Sequence, residues 1–476
     1  MVSEFDCSNN FFVDESFIGK PRAEAVKTLL VELNPDVKGH AVCKDPREVI
    51  AKDPAFFSKF TLILATQMDE QTLMALGEIC SKANVPLVVA RTYGLMGHIR
   101  LFSKEHHVIE LKPSPEPAPD LRVNNPFPAL QALADSIDLA KLDGFEFKHV
   151  PFLLILIKLM DEWKRTHEGK VPQNYAQKEE FKKTIRSIAR LPWGEEENLS
   201  EAVNSAFQAF APYRIRDEVQ DTLRDSKCDE MTKSSPHFWI MARALREFCN
   251  ENSGLLPLPG TLPDMTSTTT RFVELQNCFS QKAKEDFTSF SAKVDAVLKQ
   301  IGLPVDSISA DERMTFCSNT SGLVVVRDRS LKEEFTSPSP QDYMFDPSEI
   351  PDYMQPIVWY VFWRACDSIF SATGKYPGEN PDATEAELAA EAEVLLKRAK
   401  EIASTRYKTM IPESALDPQV AVEMVRYGGC EMHNVAALIG GIAAEESVKL
   451  ITQQYQPLNN TFLFNGIKAV GKYYQL

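Results

Sequence analysis

The chain has 476 residues, a net charge of −15, 44% apolar and 25% charged residues. These values suit a globular protein of two or three domains. The acidic balance excludes the basic field that a nucleic-acid protein needs. Nine cysteines without a CxxC pair argue against a disulfide framework and a paired-thiolate zinc site. The start, MVSEFDCSNN, lacks the basic and apolar regions of a targeting segment. The most apolar run, "VPFLLILIKLM" (150–160), is too short to span a bilayer and carries Lys158. Pro151 suits a first helical turn, so this run predicts a core helix. No membrane contact and a cytoplasmic and/or nuclear location are the expectation.

In chain order, 20–33 predicts a helix with Ala23, Val26, Leu29, Leu30 and Leu33 on one face. "VKGHAV" (37–42) is a candidate strand. "FTLILAT" (60–66) and "VPLVVA" (85–90) are continuous apolar runs, as in strands buried on both faces. A helix from Glu70 to Lys82 separates them. "GHIRLFS" and "HVIELK" read as a hairpin or edge pair. Neighbouring His106 and His107 would point to opposite faces of a strand, a poor metal chelate. This alternation predicts a doubly wound α/β sheet.

Six prolines in "LKPSPEPAPDLRVNNPFP" (111–128) mark a linker or crossover. Helices are then predicted near 151–167, 175–189, 196–210, 237–250, 270–299, 355–372 and 384–406. The last opens on a capping box, Thr384 with Glu387. A second proline-rich stretch covers 336–356. The C-terminal part returns to α/β character, with two helices and a strand at "TFLF" (461–464). Gly440, Gly441, Ala443 and Ala444 suggest close packing of a helix on the sheet. The expected organisation is a split α/β domain, 1–112 and 418–476, around a mostly helical insertion, 113–417.

The split domain and its motifs resemble the activating enzymes of ubiquitin-like modifiers, and within them the regulatory subunits of the neddylation-activating enzyme. The carrying residues are "NNFFVDESFIGKPRAEA" (9–25), "RTYGLMGHIRL" (91–101), "HFWIMARALREF" (237–248), "LPLPGTLPDM" (256–265), "VELQNCFSQKAKED" (273–286), "RYGGCEMHNVAALIGGIAAEESVKLIT" (426–452) and "NNTFLFNG". The resemblance covers nearly the whole chain. It implies a Rossmann-like (ThiF-type) adenylation domain and a heterodimer with a catalytic subunit. That subunit would use ATP and Mg to adenylate the modifier's C-terminus and then form the thioester, upstream of the conjugating enzyme and cullin neddylation.

In catalytic members this chemistry needs a glycine-rich turn, cations on the phosphates and an aspartate on the metal. The turn is expected before residue 1. The resemblance therefore implies a fold without its first strand and glycine loop, as in a truncated gene model or shortened isoform. By the same resemblance, Asn9 stands at the phosphate-contacting arginine and Arg22 at a lysine. The metal aspartate position falls among Thr66, Gln67 and Met68. Asp69 comes one place late and reads as the start of a helix. No cofactor is expected on this chain.

The insertion holds Cys228, Cys249, Cys278, Cys317 and Cys366. Cys249, Cys278 and Cys366 sit in apolar helical patterns and read as core. Cys228, in "RDSKCDEM", is the one in a polar loop. Asp225, Asp229 and Glu230 nearby should raise its pKa. No catalytic residue is expected. The stretch 260–277 matches a partner-contacting segment in the resemblance, which implies contacts through Asp264, Met265, Thr266, Arg271, Phe272, Leu275, Gln276 and Asn277. The alternative is a loop that touches only its own domain. His433 with Glu431 suggests acid–base work, but a helix start is the favoured reading.

Three other functions remain open at this level. One is a regulatory subunit for another ubiquitin-like modifier. Another is an autonomous adenylating enzyme, for which the glycine loop, metal aspartate and cysteine are poor. The third, a nicotinamide-dependent oxidoreductase, would need a GxGxxG turn that the sequence lacks.

Overall fold

The structure is a computed structural model that describes residues 1–10, 12–111, 119–338, 351–407 and 411–476. The chain packs as two compact units. One joins Met1–His106 to Val326–Leu476, and the other is His107–Val325. Residues 326–417, which the sequence grouped with the insertion, thus cluster with the sheet. The expected boundary at 112/113 lies outside the described residues, as do parts of both proline-rich stretches.

Seven strands occur among the described residues: β1 (Ile63–Thr66), β2 (Leu87–Tyr93), β3 (Met96–Phe102), β4 (His106–Val108), β5 (Val324–Val326), β6 (Thr461–Asn465) and β7 (Val470–Tyr474). The first unit holds a five-stranded sheet in the order β1-β2-β3-β6-β7. Only β1 and β2 run parallel, with Ile63 opposite Leu87. The other neighbours are antiparallel. Every residue of β2 and β3 is buried, as their apolar runs require.

Both faces of this sheet are covered. On one face, Val435, Ile439 and Ala443 of helix His433–Thr452 pack with Val88, Ala90, Ile99 and Leu101. On the other, Leu73, Leu76 and Cys80 of helix Glu70–Ala83 pack with Leu87, Val89 and Phe102. Helix Pro356–Thr373 adds a large apolar cluster with Tyr93, Met96 and Leu463. Its packing on the sheet is the reason that 326–417 belongs to this unit.

Several expectations change here. Residues 37–42 form no strand. β3 pairs with β2 and β6, not with β4, because both of its faces and both of its edges are buried in the sheet. β4 pairs with β5, and these two short strands open and close the second unit. The helix observed at Arg22–Leu33 buries only Ala25. Leu30 is 45% and Leu33 72% exposed, so the predicted apolar face finds little to cover it. Gly440 and Gly441 also point into open space. The close approach occurs instead at Gly97 of β3, where a Cβ would meet Ile439.

The second unit is built of helices. Helix Phe152–Thr166 is the centre of one core and buries nine side chains, including Phe152, Leu156 and Trp163. Helices His237–Glu251 and Thr269–Ile301 form another core around Trp239, Phe290 and Phe316. The capping box at Thr384, in the first unit, is present as predicted.

Asp328 links the end of β3 to the returning chain. Its carboxylate accepts from Ser103 N at 2.8 Å. Burial pushes its pKa up to about 6, against the opposing pull of Arg100 and the Ser103 bond. A carboxyl with a raised folded pKa holds its proton longer in the folded state than in the unfolded one. Stability contributed here is therefore full below about pH 4 and is lost as pH rises towards about 6. Asp328→Asn should keep the acceptor and flatten that slope. Urea titrations at pH 4.5 and pH 7 check this; equal slopes for the two proteins would refute it.

Candidate functional site

In an open α/β sheet, ligands settle outside the carboxyl ends of the parallel strands. Here those ends are Thr66 of β1 and Tyr93 of β2. After β1 the backbone turns through Gln67, with φ of +50°. The Gln67 side chain then clasps β2: its amide donates to Thr92 O at 3.0 Å and its carbonyl accepts from Thr92 N at 2.8 Å. Asp69 follows as the N-cap of helix Glu70–Ala83. One oxygen accepts from Thr72 N at 3.0 Å and the other from Thr72 Oγ1 at 2.6 Å. The reading of Asp69 as a helix start is the geometry observed.

Beside this edge, side chains of the chain itself interlock. Arg91 of β2 forks onto Asp367, at 2.6 and 2.8 Å, inside helix Pro356–Thr373. Both groups are buried. Burial opposes the Arg91 charge, but the Asp367 carboxylate more than offsets it and raises the guanidinium's pKa. The Tyr376 hydroxyl donates to Asp367 at 3.3 Å, and Arg91 lies over the Trp363 ring at 5.0 Å. Arg364 grips Glu70 at 2.9 and 3.0 Å and also reaches Tyr407. Arg100 binds Glu334 at 2.6 Å, and Tyr360 donates to the other Glu334 oxygen.

His98 lies among these pairs, 5.0 Å from the Tyr360 ring. Burial holds its pKa well down, and Arg91, Arg100 and Arg364 push the same way, so it stays neutral. Sequence reasoning missed all of these residues. The available signal was arginine inside otherwise apolar strands, and Arg364 with Asp367 inside "PIVWYVFWRACDSIF".

The motifs "RTYG" and "RYGG" meet at a glycine junction. Gly94 N donates to Cys430 O at 2.7 Å, and Gly94 bridges to Glu431. Gly378 and Gly428 both adopt positive φ, +78° and +54°, and each leaves no room for a Cβ against the facing backbone. Glu431 takes its place in this junction, and His433 is the exposed first residue of its helix. This is the structural reading of that motif.

Of the degenerate positions, Arg22, itself exposed, pairs with the buried Asp6 at 2.7 Å. Asn9 closes a short helix, Glu4–Asn9, and its side chain lies outside the described residues. Asp69 is engaged as a helix cap through Thr72, and Arg91 is paired with Asp367. No group of three or more His, Cys, Asp or Glu with metal-holding geometry occurs among the described residues.

Burial works against the thiolate form of the insertion's cysteines. Burial pushes Cys228 and Cys249 up to about 11 and Cys317 up to about 12. It also raises Cys278 and Cys366. Cys228 differs from its polar-loop expectation. Acidic residues flank it, yet its thiol is buried and faces Thr222 O. Burial, not the flanking acids, is the first cause of its shift.

The stretch 260–277 is largely absorbed by its own unit. Leu275 and Met265 are buried, and Phe272 packs against the same core. Thr266 is held by Glu201 through its N–H and hydroxyl, and Arg271 donates to Glu146 O. The helical period turns Leu275 inward, and Met265, in the loop before the helix, is buried in the same core. Asp264, Gln276 and Asn277 remain exposed.

The sequence matches the ThiF family over residues 2–472. It is 40% identical to the NEDD8-activating enzyme E1 regulatory subunit AXL of Arabidopsis thaliana, across 97% of this chain and 86% of that protein. This chain belongs to the ThiF family, among the NEDD8-activating enzyme E1 regulatory subunits. The subunit of Xenopus laevis is 36% identical across 100% of this chain and 88% of its own length. That of Drosophila melanogaster is 37% identical across 98% and 85%. A mixed α/β fold with mostly helical content is consistent with this ThiF membership. No helix among the described residues is long and apolar enough to cross a membrane.

Proposed function

We propose that this chain is the non-catalytic subunit of an activating enzyme for the neddylation modifier. It pairs with a catalytic subunit that adenylates the modifier's C-terminus with ATP and Mg and carries the thioester. This chain binds no nucleotide and supplies no nucleophile. It acts by completing the heterodimer and by helping to hold the modifier, which the partner then passes to its conjugating enzyme. The observation that carries this reading is the end of β1, where Thr66, Gln67 and Met68 offer no carboxylate and Asp69, one place later, serves as a helix cap through Thr72. The raised thiols support it.

The sheet reads as a ThiF-type nucleotide fold split around the second unit. β1 is an edge strand with Leu64 48% exposed, and Leu30 and Leu33 are exposed as well. A further parallel strand beside β1 would cover apolar surface of this kind.

ATP–pyrophosphate exchange and thioester formation test the function. The chain alone is expected to do neither, and the catalytic subunit mixed with it should do both. Asp69→Ala should leave the rates of the mixture unchanged and cost about 1 kcal/mol of stability through the lost cap. Exchange by the chain alone, abolished by Asp69→Ala, would establish an autonomous adenylating enzyme instead.

A further inference from the structure

We propose that the sheet-bearing unit has a built site for one internal water molecule, between β2, β3 and helix Pro356–Thr373, held by Arg91, His98 and Trp363. The inference concerns this unit alone and does not rest on the functional reading above.

The three side chains meet on one face of the sheet. Arg91 stands directly opposite His98 in the β2–β3 ladder, so both project to the same side. Trp363 reaches that side from helix Pro356–Thr373, in the cluster with Tyr93, Met96 and Leu463. Its ring centre lies 5.0 Å from the Arg91 guanidinium carbon and 6.0 Å from the His98 ring centre. Solvent scarcely reaches any of them: Arg91 is 6%, His98 2% and Trp363 3% exposed.

Each of them has polar atoms left over. Arg91 Nε, both His98 ring nitrogens and Trp363 Nε1 have no hydrogen-bond partner among the described residues. Asp367 takes the other two guanidinium nitrogens of Arg91 and leaves Nε aside. Unpaired polar atoms in an interior are costly, and folded proteins pair nearly all of theirs. Several in one place call for a shared partner.

The donor and acceptor types fix what that partner is. Arg91 Nε and Trp363 Nε1 can only donate. His98 is held neutral by its burial and the nearby arginines, so one of its ring nitrogens is bare and can only accept. The partner must therefore accept twice and donate once within a small space. Water does so with its two lone pairs and one of its protons, and a buried water makes about three hydrogen bonds. An anion would satisfy the two donors but offer nothing to the bare nitrogen. Its charge would also be surplus, because Asp367 already neutralises Arg91. A metal cation would suit His98 but be repelled by Arg91. Bound here, the water extends the Arg91–Asp367 pair into a network that joins two strands to the helix.

NMR of the full chain, with isotope-labelled indole nitrogens in its five tryptophans, tests the site. Trp363→Phe identifies the Trp363 Nε1–H signal. In the parent chain that proton should show a direct cross-peak to water, with the sign of a long-lived complex, although its ring is closed to solvent. No cross-peak would mean a dry site and overturns the proposal. His98→Phe removes the acceptor and should abolish the cross-peak; its persistence in the folded variant overturns the proposal. If that variant does not fold, His98→Gln decides, because its carbonyl can still accept. The cross-peak should then remain, and its loss overturns the assignment. Tyr93→Phe removes the hydroxyl of a ring 5.7 Å from that of Trp363. The cross-peak should survive it; loss would name that hydroxyl, not water, as the source. Chloride should leave the indole signal unmoved, and a saturable shift would place an anion there instead.

Discussion

Asp367→Ala should destabilise the sheet-bearing unit by about 3–5 kcal/mol, because it leaves the buried Arg91 guanidinium without its counter-ion. Both side chains are nearly inaccessible, at 7% for Arg91 and 2% for Asp367. The alanine also strands the Tyr376 hydroxyl and removes the acceptor of two short hydrogen bonds. Removing the charge on both sides has a different outcome. Arg91→Met with Asp367→Leu takes away two desolvation penalties together and should recover much of the loss. Urea unfolding of the single and double variants measures the difference. A double variant as unstable as Asp367→Ala would show that the pair contributes more than mutual neutralisation.

The second large effect is expected at Gly378. Its φ is +78°, where an alanine costs about 1–2 kcal/mol. An added Cβ would also run into the carbonyl of Val425, a backbone atom that cannot rotate away. Overpacking of this kind adds about 1–3 kcal/mol. Gly374 is the internal control. It has φ of +76° and nothing within 4 Å of a Cβ, so Gly374→Ala carries the backbone cost alone. The excess of Gly378→Ala over Gly374→Ala is the cost of the close approach between residue 378 and the helix Pro418–Tyr427. Equal effects at the two glycines would mean that the junction opens at no cost.

These two sites show where reading the sequence stopped. Gly428 was legible inside "RYGG", but its facing partner Gly378 lies 50 positions earlier and carries no local signal. The same holds for Arg91 and Asp367, which are separated by 276 residues. Local chemistry was readable where it is local. The capping box at Thr384 reaches only three residues along the chain. The N-cap role of Asp69 likewise needs only Thr72. Helix Phe152–Thr166 followed from its own run of apolar residues behind Pro151.

Cys228, and Met265 and Leu275 in the stretch 260–277, were misjudged for the opposite reason. A polar neighbourhood in sequence says nothing about what another helix covers. Cys228 is buried against helix His237–Glu251, and Met265 and Leu275 are taken into a core formed with helix Phe152–Thr166.

By itself the sequence determined the α/β-then-helical order, strands within 60–66 and 85–90, most helices, and the family to which the chain belongs; the expected burial holds for the second strand, while in the first only Ala65 is buried. Hydrophobic period and capping act within a few residues, so one chain segment suffices to express them. Only the tertiary structure decided that 326–417 joins the sheet, that β3 lies between β2 and β6, and that Arg91, Arg100 and Arg364 are neutralised by distant carboxylates. Those outcomes depend on which surfaces meet, and a buried charge is tolerated only where folding delivers its counter-ion.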